Sequence, residues 1–403
     1  MAGLIPVDEA VARVITGAVP VASELVPVAE AAGRTLAEPL KALRTQPPFD
    51  ASAMDGYALR AADIATVPAV LQVVGMSAAG HHFSGTVEQG QAVRIFTGAP
   101  VPAGADAVLL QEVTEAHDDG TVTAKQSVEP GRHIRSSGLD FREGAVLLDA
   151  GRRLGLREIS LATAMGYAEV PVRRRPKVAI IATGDELVAA GQNPAPDQIY
   201  AATSPGLAAF VTALGGEAHD LGIVRDDRAA IADVIGRALS LPADIVVTLG
   251  GASVGDHDLV QNALTDRGLA LDFWRIAMRP GKPLMFGRIE ETRVLGLPGN
   301  PVSSLVCALL FLAPLIDVLC GRTPDDSTES ATLGGPLKAN DERQDYIRAR
   351  MATRRGELPA AIPLPVQDSS MLSVLATADC LIVRQPHAPA ANAGEPCRVI
   401  RLP

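Results

Sequence analysis

Residues 177–325 predict an α/β domain with a mainly parallel sheet, three layers deep, set within a multidomain α/β chain. Two observations carry this. Short apolar runs such as Val178–Ala182 and Ile245–Leu249 read as buried strands, and segments with helical spacing alternate with them. Glycine-rich loops follow the strand ends, at 183–186, 249–258 and 297–303. Ligands of such sheets bind beyond the carboxyl ends of the strands, so these loops should converge there. A third observation sets this region apart from its neighbours. Residues 47–140 hold β-like runs at Val70–Val74, Ala92–Phe96, Ala107–Leu110 and Thr121–Ala124, broken by Gly and Pro turns, which predicts a β-rich insertion domain over 46–140.

Within the α/β region, Ser204-Pro205 reads as an N-cap with proline at the first helical position. Leu207, Phe210, Val211 and Leu214 follow at helical spacing until Gly215-Gly216. A second helix starts near Asp227 and buries Ile231, Val234, Ile235 and Leu239. A third runs from about Asp258 to Arg267, with Gly268 as C-cap, and Asn300-Pro301 opens a fourth, strongly apolar one. The flanks Val7–Ile15 and Glu158–Ala164 are helical by period. Pairing between them across the insertion predicts a discontinuous linking domain, 1–45 with 141–175. The α/β domain then covers 176–325. A polar stretch after Gly321 leads to short strands and turns, a small C-terminal β domain over 326–403.

The chain has 403 residues, too many for one ordinary core, which predicts two to four domains. A net charge of −10 and an aromatic content of 3% disfavour nucleic-acid binding, which needs cations and stacking platforms. Cys307, Cys320, Cys380 and Cys397 form no C-x-x-C pair and read as free thiols of a cytoplasmic protein. The N-terminus lacks a basic signal-peptide region, and the apolar run 305–316 contains Pro314 and reads as a core helix rather than a membrane span. The seven histidines show no zinc-ligand spacing.

The densest chemistry lies in 244–303. Gly250, Gly251, Ser253 and Gly255 offer backbone N–H groups to an anion, and Pro298-Gly299-Asn300 precedes a helix N-terminus. Lys282 stands between two prolines. Asp256 and Asp258 read either as helix caps or as carboxylates that bridge through Mg²⁺ to a phosphate. Asp185-Glu186 reads either as a helix cap or as a metal or water-activating pair. Asp227 reads as a cap.

Six blocks together resemble one family: S-A-M-D-G-Y-A at 52–58, T-G-A-P-V-P at 97–102, T-G-D-E-L at 183–187, G-G-x-S-V-G-x-x-D at 250–258, P-G-K-P at 280–283 and L-P-G-N-P-V-S at 297–303. This is MoeA, the molybdopterin molybdenumtransferase family, similar to the gephyrin E domain. The resemblance spans nearly the whole chain. It implies four domains per subunit, an elongated homodimer, and molybdate insertion into adenylylated molybdopterin with Mg²⁺-assisted release of AMP. It implies roles for Asp55, Asp140, Glu186, Asp226 and Asp258, with Glu186 and Asp258 handling Mg²⁺ or water. Gly250, Gly251, Ser253, Gly255, Lys282, Pro298, Gly299 and Asn300 would hold phosphate or pterin oxygens. Thr97 and Arg135 would come from the partner subunit. The molybdate pocket maps to Lys282, Ser303, Arg348 and Ser369, donors that suit a tetrahedral oxyanion. Implied partners are a molybdopterin adenylyltransferase and molybdoenzyme-specific proteins, with no nucleic acid and no membrane.

Departures from the family pattern are Ala201-Ala202-Thr203 in place of D-x-N after Ile199-Tyr200, Arg279 in place of lysine, Leu139 in the G-E-D block, Arg135-Ser136-Ser137 in place of a longer arginine run, and Val374 in place of serine. Two other functions compete on this reading: a molybdopterin adenylyltransferase, and a non-catalytic pterin-binding scaffold.

Overall fold

The computed structural model describes residues 4–251, 259–353 and 356–403. Its centre is a six-stranded sheet in the order Glu217–Val224, Lys177–Thr183, Ile245–Leu249, Thr292–Leu297, Met285–Ile289, Ala270–Phe273. The first four strands are parallel, and the last two are each joined antiparallel to the strand before, so only Met285–Ile289 runs against the rest. Successive residues of a strand face opposite sides, and here both sides are covered. Val178, Ile180 and Ala182 point into one core with Leu207, Val211 and Phe311. Ala179 and Ile181 point into the other with Ile231, Val234, Ile235 and Val260. That double coverage is why the strands read as unbroken apolar runs.

The helices Thr203–Ala213, Arg228–Ser240 and Leu259–Asp266 complete the layers. The first starts two residues earlier than the sequence suggests. Ala202 is its N-cap, without a side-chain hydrogen bond, and Ser204 is buried inside the first turn. Asp227 caps the second as expected, accepting from the Ala230 N–H at 2.9 Å. The apolar helix runs from Pro301 to Leu319, with a π turn at Ala308–Leu312. Pro314 lacks an N–H, and its ring crowds the carbonyl four residues back, so a wider turn beside it relieves the clash. The helix has a mean hydropathy of 2.3 and is long enough to cross a bilayer, but 67% of it is buried within the protein.

Residues 23–42 and 141–172 share a core. Ser23–Pro27 pairs with Glu169–Arg173, and Leu40–Lys41 with Val146–Leu148. Leu36, Leu40, Phe141, Leu154, Met165 and Val170 pack between them. Helix Val7–Ile15 goes elsewhere. Its buried face of Val7, Ala10 and Val14 joins the central core with Phe311 and Leu315. The expected pairing of this helix with the 146–172 flank is therefore not found. The 313–319 helix offers it an apolar face, and Arg288 and Arg293 both donate to the Thr16 carbonyl at its C-terminal end.

The insertion holds a six-stranded sheet built around Gly56–Leu59, Ala69–Ser77 and Gln91–Ile95. At the C-terminus, Gln344–Ala352, Ala360–Pro363, Thr328–Leu333, Pro396–Arg401 and Cys380–Arg384 close into a barrel, because the first and last of these strands also pair. Closure leaves no free edge. The polar stretch after Gly321 is held at its start: Arg322 binds Asp317, the Thr35 hydroxyl and the Leu214 carbonyl. Met278–Arg279 extends the barrel sheet beside Gln344–Asp345, and the Arg279 guanidinium reaches Asp341, Asn340 and Asp345. The cysteines are all free: Cys307, Cys320 and Cys380 are buried and Cys397 is half-buried.

Candidate active site

A cleft of about 900 Å³ opens at the carboxyl ends of the parallel strands. Its floor is three loops: Thr183-Gly184, Leu249-Gly250-Gly251 and Pro298-Gly299-Asn300. Glycine is favoured at two of them, by space and backbone conformation at Gly250 and by backbone conformation at Gly184. Gly250 has φ +92°, and a Cβ there would lie 2.7 Å from the Thr183 carbonyl oxygen. Gly184 has φ +152°, and a Cβ would lie 2.5 Å from the Glu186 carboxylate that folds back over it. Ser253, Gly255 and Asp258 lie outside the described residues, as do Asp256 and His257, so their predicted roles have no structural placement.

Glu186 and Asp226 line the cleft's acidic rim, and the Asp226 N–H donates to Asp185 at 3.3 Å. The Asp226 carboxyl is pushed above its ordinary value, first by partial desolvation and then by the charges of Asp185 and Glu186. Three hard oxygen donors that repel one another suit a cation. Among the described residues, however, no three His, Cys, Asp or Glu side chains converge into a complete cage. Such a rim fits Mg²⁺, which takes one or two carboxylates and completes its shell with water and substrate phosphates.

The C-terminal barrel supplies one wall. Ser370 and Leu372 line the cleft beside the helix at Pro301. The Asn300 amide donates to the Ser369 hydroxyl at 3.0 Å, and the Val302 N–H to the Ser369 carbonyl at 3.1 Å. Asn300 thus ties two domains together instead of capping its own helix. Ser303 is buried one turn on. Arg348 is 2% exposed and donates to Gln367 and to the Asp368 carbonyl, and burial pushes its pKa down. Lys282 is exposed, on a loop pressed to the core. A Cβ on Gly281 (φ +109°) would meet the Cys307 sulfur at 2.5 Å.

Three family matches cover the chain in order: the MoeA N-terminal region (domains I and II) over 5–166, a probable molybdopterin binding domain over 179–318, and the MoeA C-terminal region (domain IV) over 330–402. The chain is 36% identical over 381 residues to the molybdopterin molybdenumtransferase of Haemophilus influenzae, covering 93% of each. It belongs to the MoeA family. The Nostoc molybdopterin molybdenumtransferase is 40% identical, over 74% of this chain and 70% of its own length. A molybdopterin biosynthesis MoeA protein of Pyrococcus horikoshii superposes with a TM-score of 0.85 at 31% identity, covering 99% of both chains.

In this MoeA-family chain the predicted insertion residues lie apart from the cleft. Asp55 accepts from the Thr97 N–H at 2.7 Å and hydroxyl at 2.8 Å, which holds its carboxyl below the ordinary range. Arg135 sits on a short strand paired with Ala51-Ser52, and the Asp140 N–H donates to the Gln46 carbonyl. None of Asp55, Thr97, Arg135 or Asp140 lines the cleft described above. Sequence reasoning missed Arg94, whose guanidinium lies 5.1 Å from the Tyr57 ring and 4.9 Å from the Phe96 ring, and which donates to the Gly56 carbonyl at 3.0 Å. The signal was present, since both rings flank motif residues. It also missed Ser370, Leu372 and Gln367, whose relevance depends on a contact between domains that no local pattern reveals.

Proposed function

We propose that this chain is itself a molybdopterin molybdenumtransferase, acting in the cytoplasm on adenylylated molybdopterin and molybdate with release of AMP. The supporting observation is the convergence of three glycine loops and an acidic rim on one cleft, in a chain whose MoeA-family matches run from end to end. Backbone N–H groups at Gly250 and Gly251 and the helix beginning at Pro301 favour an anionic phosphate. Ser370 lines the cleft and Ser369 is bonded to Asn300 at the start of that helix, which supports assigning oxyanion binding to them with Lys282, Ser303 and Arg348.

Glu186 and Asp226, with Asp258, would hold Mg²⁺. Bound there, the ion would neutralise phosphate charge as the bond to AMP breaks. A cation there would favour the ionised form of Asp226, which partial burial and its acidic neighbours disfavour. Asp55 stays ionised through its Thr97 hydrogen bonds, and we assign Asp55, Thr97, Arg135 and Asp140 to the partner's site in a homodimer. An upstream adenylyltransferase would supply the substrate, and molybdoenzyme-specific proteins would receive the product.

The test is AMP release from adenylyl-molybdopterin by the purified protein, with Mg²⁺, with and without molybdate. Molybdate-dependent release yielding active cofactor is the expected result. Binding without release would overturn the reading and leave a pterin-binding scaffold. Adenylylation of metal-free molybdopterin from MgATP would point to the adenylyltransferase instead.

A further inference from the structure

Behind the barrel wall of the cleft lies a buried guanidinium held by an amide. Arg348 is on the barrel strand Gln344–Ala352 and is almost wholly inaccessible. Its backbone N–H and its Nε both donate to the Gln367 oxygen, at 3.0 and 3.2 Å. The Gln367 amide nitrogen donates in turn to the carbonyls of Arg348, at 3.0 Å, and Leu364, at 2.8 Å. Both lone-pair sites and both protons of the amide are therefore used. Arg348 also donates from Nη1 to the Asp368 carbonyl at 2.9 Å. These acceptors are neutral, so none of them cancels the guanidinium charge, and the Asp368 carboxylate offsets it only in part, from beyond hydrogen-bond contact. The Asp368 carboxylate is engaged with the N–H and hydroxyl of Ser370, at 2.8 and 2.6 Å. The next residue, Ser369, is the one clipped to Asn300 and Val302, and Ser370 faces the cleft.

We infer that Gln367 is a positioning residue for the oxyanion, acting through Arg348. Its amide fixes the guanidinium while leaving the cation's charge for a dianion at the Ser369–Ser370 wall. A glutamate there would fix the guanidinium through the same oxygen but neutralise it, and the loop would lose its electrostatic preference for an oxyanion. Glutamine at 367 thus links the barrel's interior to the affinity of the cleft. This inference rests on the oxyanion reading given above.

The experiment uses full-length protein and two variants, Gln367→Glu and Gln367→Met. Binding of molybdate, and of tungstate as a second probe, is measured by equilibrium dialysis, beside the KM for each substrate and the thermal midpoint. Glutamate should weaken molybdate binding about tenfold, and methionine less, with the KM for the pterin nucleotide unchanged. Glutamate keeps the acceptor for both Arg348 donors but turns its second oxygen toward the Arg348 and Leu364 carbonyls, so the thermal midpoint is read beside binding: a merely structural brace loses molybdate binding in step with the midpoint, whereas loss of charge weakens binding by more than methionine does at an equal or smaller loss of midpoint. Methionine weaker than glutamate, or glutamate equal to the unmodified protein, would overturn the inference. If the unmodified protein binds no molybdate, the oxyanion reading falls and the inference falls with it. Intact binding with unaffected variants sinks the inference alone.

Discussion

Gly250→Ala is the substitution whose outcome the cleft geometry constrains most. Alanine at φ +92° enters the left-handed region at a cost of about 1–2 kcal/mol. Its Cβ would also lie 2.7 Å from the Thr183 carbonyl oxygen, a main-chain atom that cannot rotate away. Restoring ordinary contact distance moves one loop by about 0.5–1 Å, and the combined destabilisation is about 2–3 kcal/mol. The loop that moves is the one presenting N–H groups to the ligand. Displacements of that size at a binding site lower activity by about tenfold to a hundredfold. Gly299→Ala is the control. Its Cβ would meet the Gly250 Cα at 3.8 Å, an ordinary contact, and Gly299 is not among the positive-φ glycines. Both variants are compared for urea unfolding and for the KM of the pterin nucleotide. Equal behaviour of the two, in either direction, would refute the steric argument, because it would mean that the Thr183 carbonyl does not set the loop.

Four further outcomes follow from particular contacts. Asp226→Asn should raise stability at neutral pH and weaken the Mg²⁺ dependence of turnover. The Asp226 pKa is raised on folding, so its ionised form opposes the fold above that pKa and the penalty disappears as pH falls below its ordinary value of 3.8; pH-dependent unfolding of both proteins checks this. Glu158→Gln should cost about 2–3 kcal/mol at neutral pH, since the carboxylate takes two bonds from Arg152 and one from the Gly155 N–H. Those partners pull its pKa down from 4.5 to about 2, so its contribution is complete above 4.5 and is lost as pH falls toward 2, and the variant's deficit should shrink over that window. Arg279→Lys should loosen the barrel, because one ammonium cannot match a planar fork that reaches Asp341, Asn340 and Asp345. Faster hydrogen exchange along 278–279 and 344–345 is the expected signature, and unchanged protection would remove Arg279 from the clamp. Mixing inactive Asp55→Ala and Asp226→Ala proteins should restore about a quarter of the sites if each is built from two subunits, as random pairing requires; no recovery after subunit exchange would place both residues in one protomer's site.

The α/β core was legible because its central strands are buried on both faces and therefore continuous in hydrophobicity. The strand Glu217–Val224 was not foreseen, and its position explains why. It is an edge strand paired only with Lys177–Thr183, and it carries Glu217, His219 and Asp220. The hairpin Met285–Ile289 with Thr292–Leu297 also escaped notice among the motif loops that flank it. Loop chemistry was readable where glycine and carboxylate fall together in sequence, as at Gly184-Asp185-Glu186. It was unreadable where the partners are far apart. Asn300 looks like a cap, yet its amide is taken by Ser369, and Arg348 looks like an open donor, yet its Nε and Nη1 are engaged by Gln367 and the Asp368 carbonyl. The N-terminal helix shows the same limit: its stripe of Val7, Ala10 and Val14 announces a buried face without saying against what.

That helix has a consequence for how the protein is made. Its packing surface includes Phe311 and Leu315, some three hundred residues downstream. A ribosome adding roughly 5–20 residues per second needs on the order of 15–60 s to cover that distance. Through that interval the Val7–Ile15 helix has no permanent seat, and its apolar stripe must be tolerated by solvent or shielded by a chaperone. The 301–319 segment then emerges onto a sheet already made and seats both itself and the waiting N-terminus. A nascent chain halted before residue 301 would keep an unsatisfied apolar stripe at one end and an uncovered sheet face at the other. Truncated products of this gene should therefore be cleared or aggregate rather than accumulate as stable N-terminal fragments.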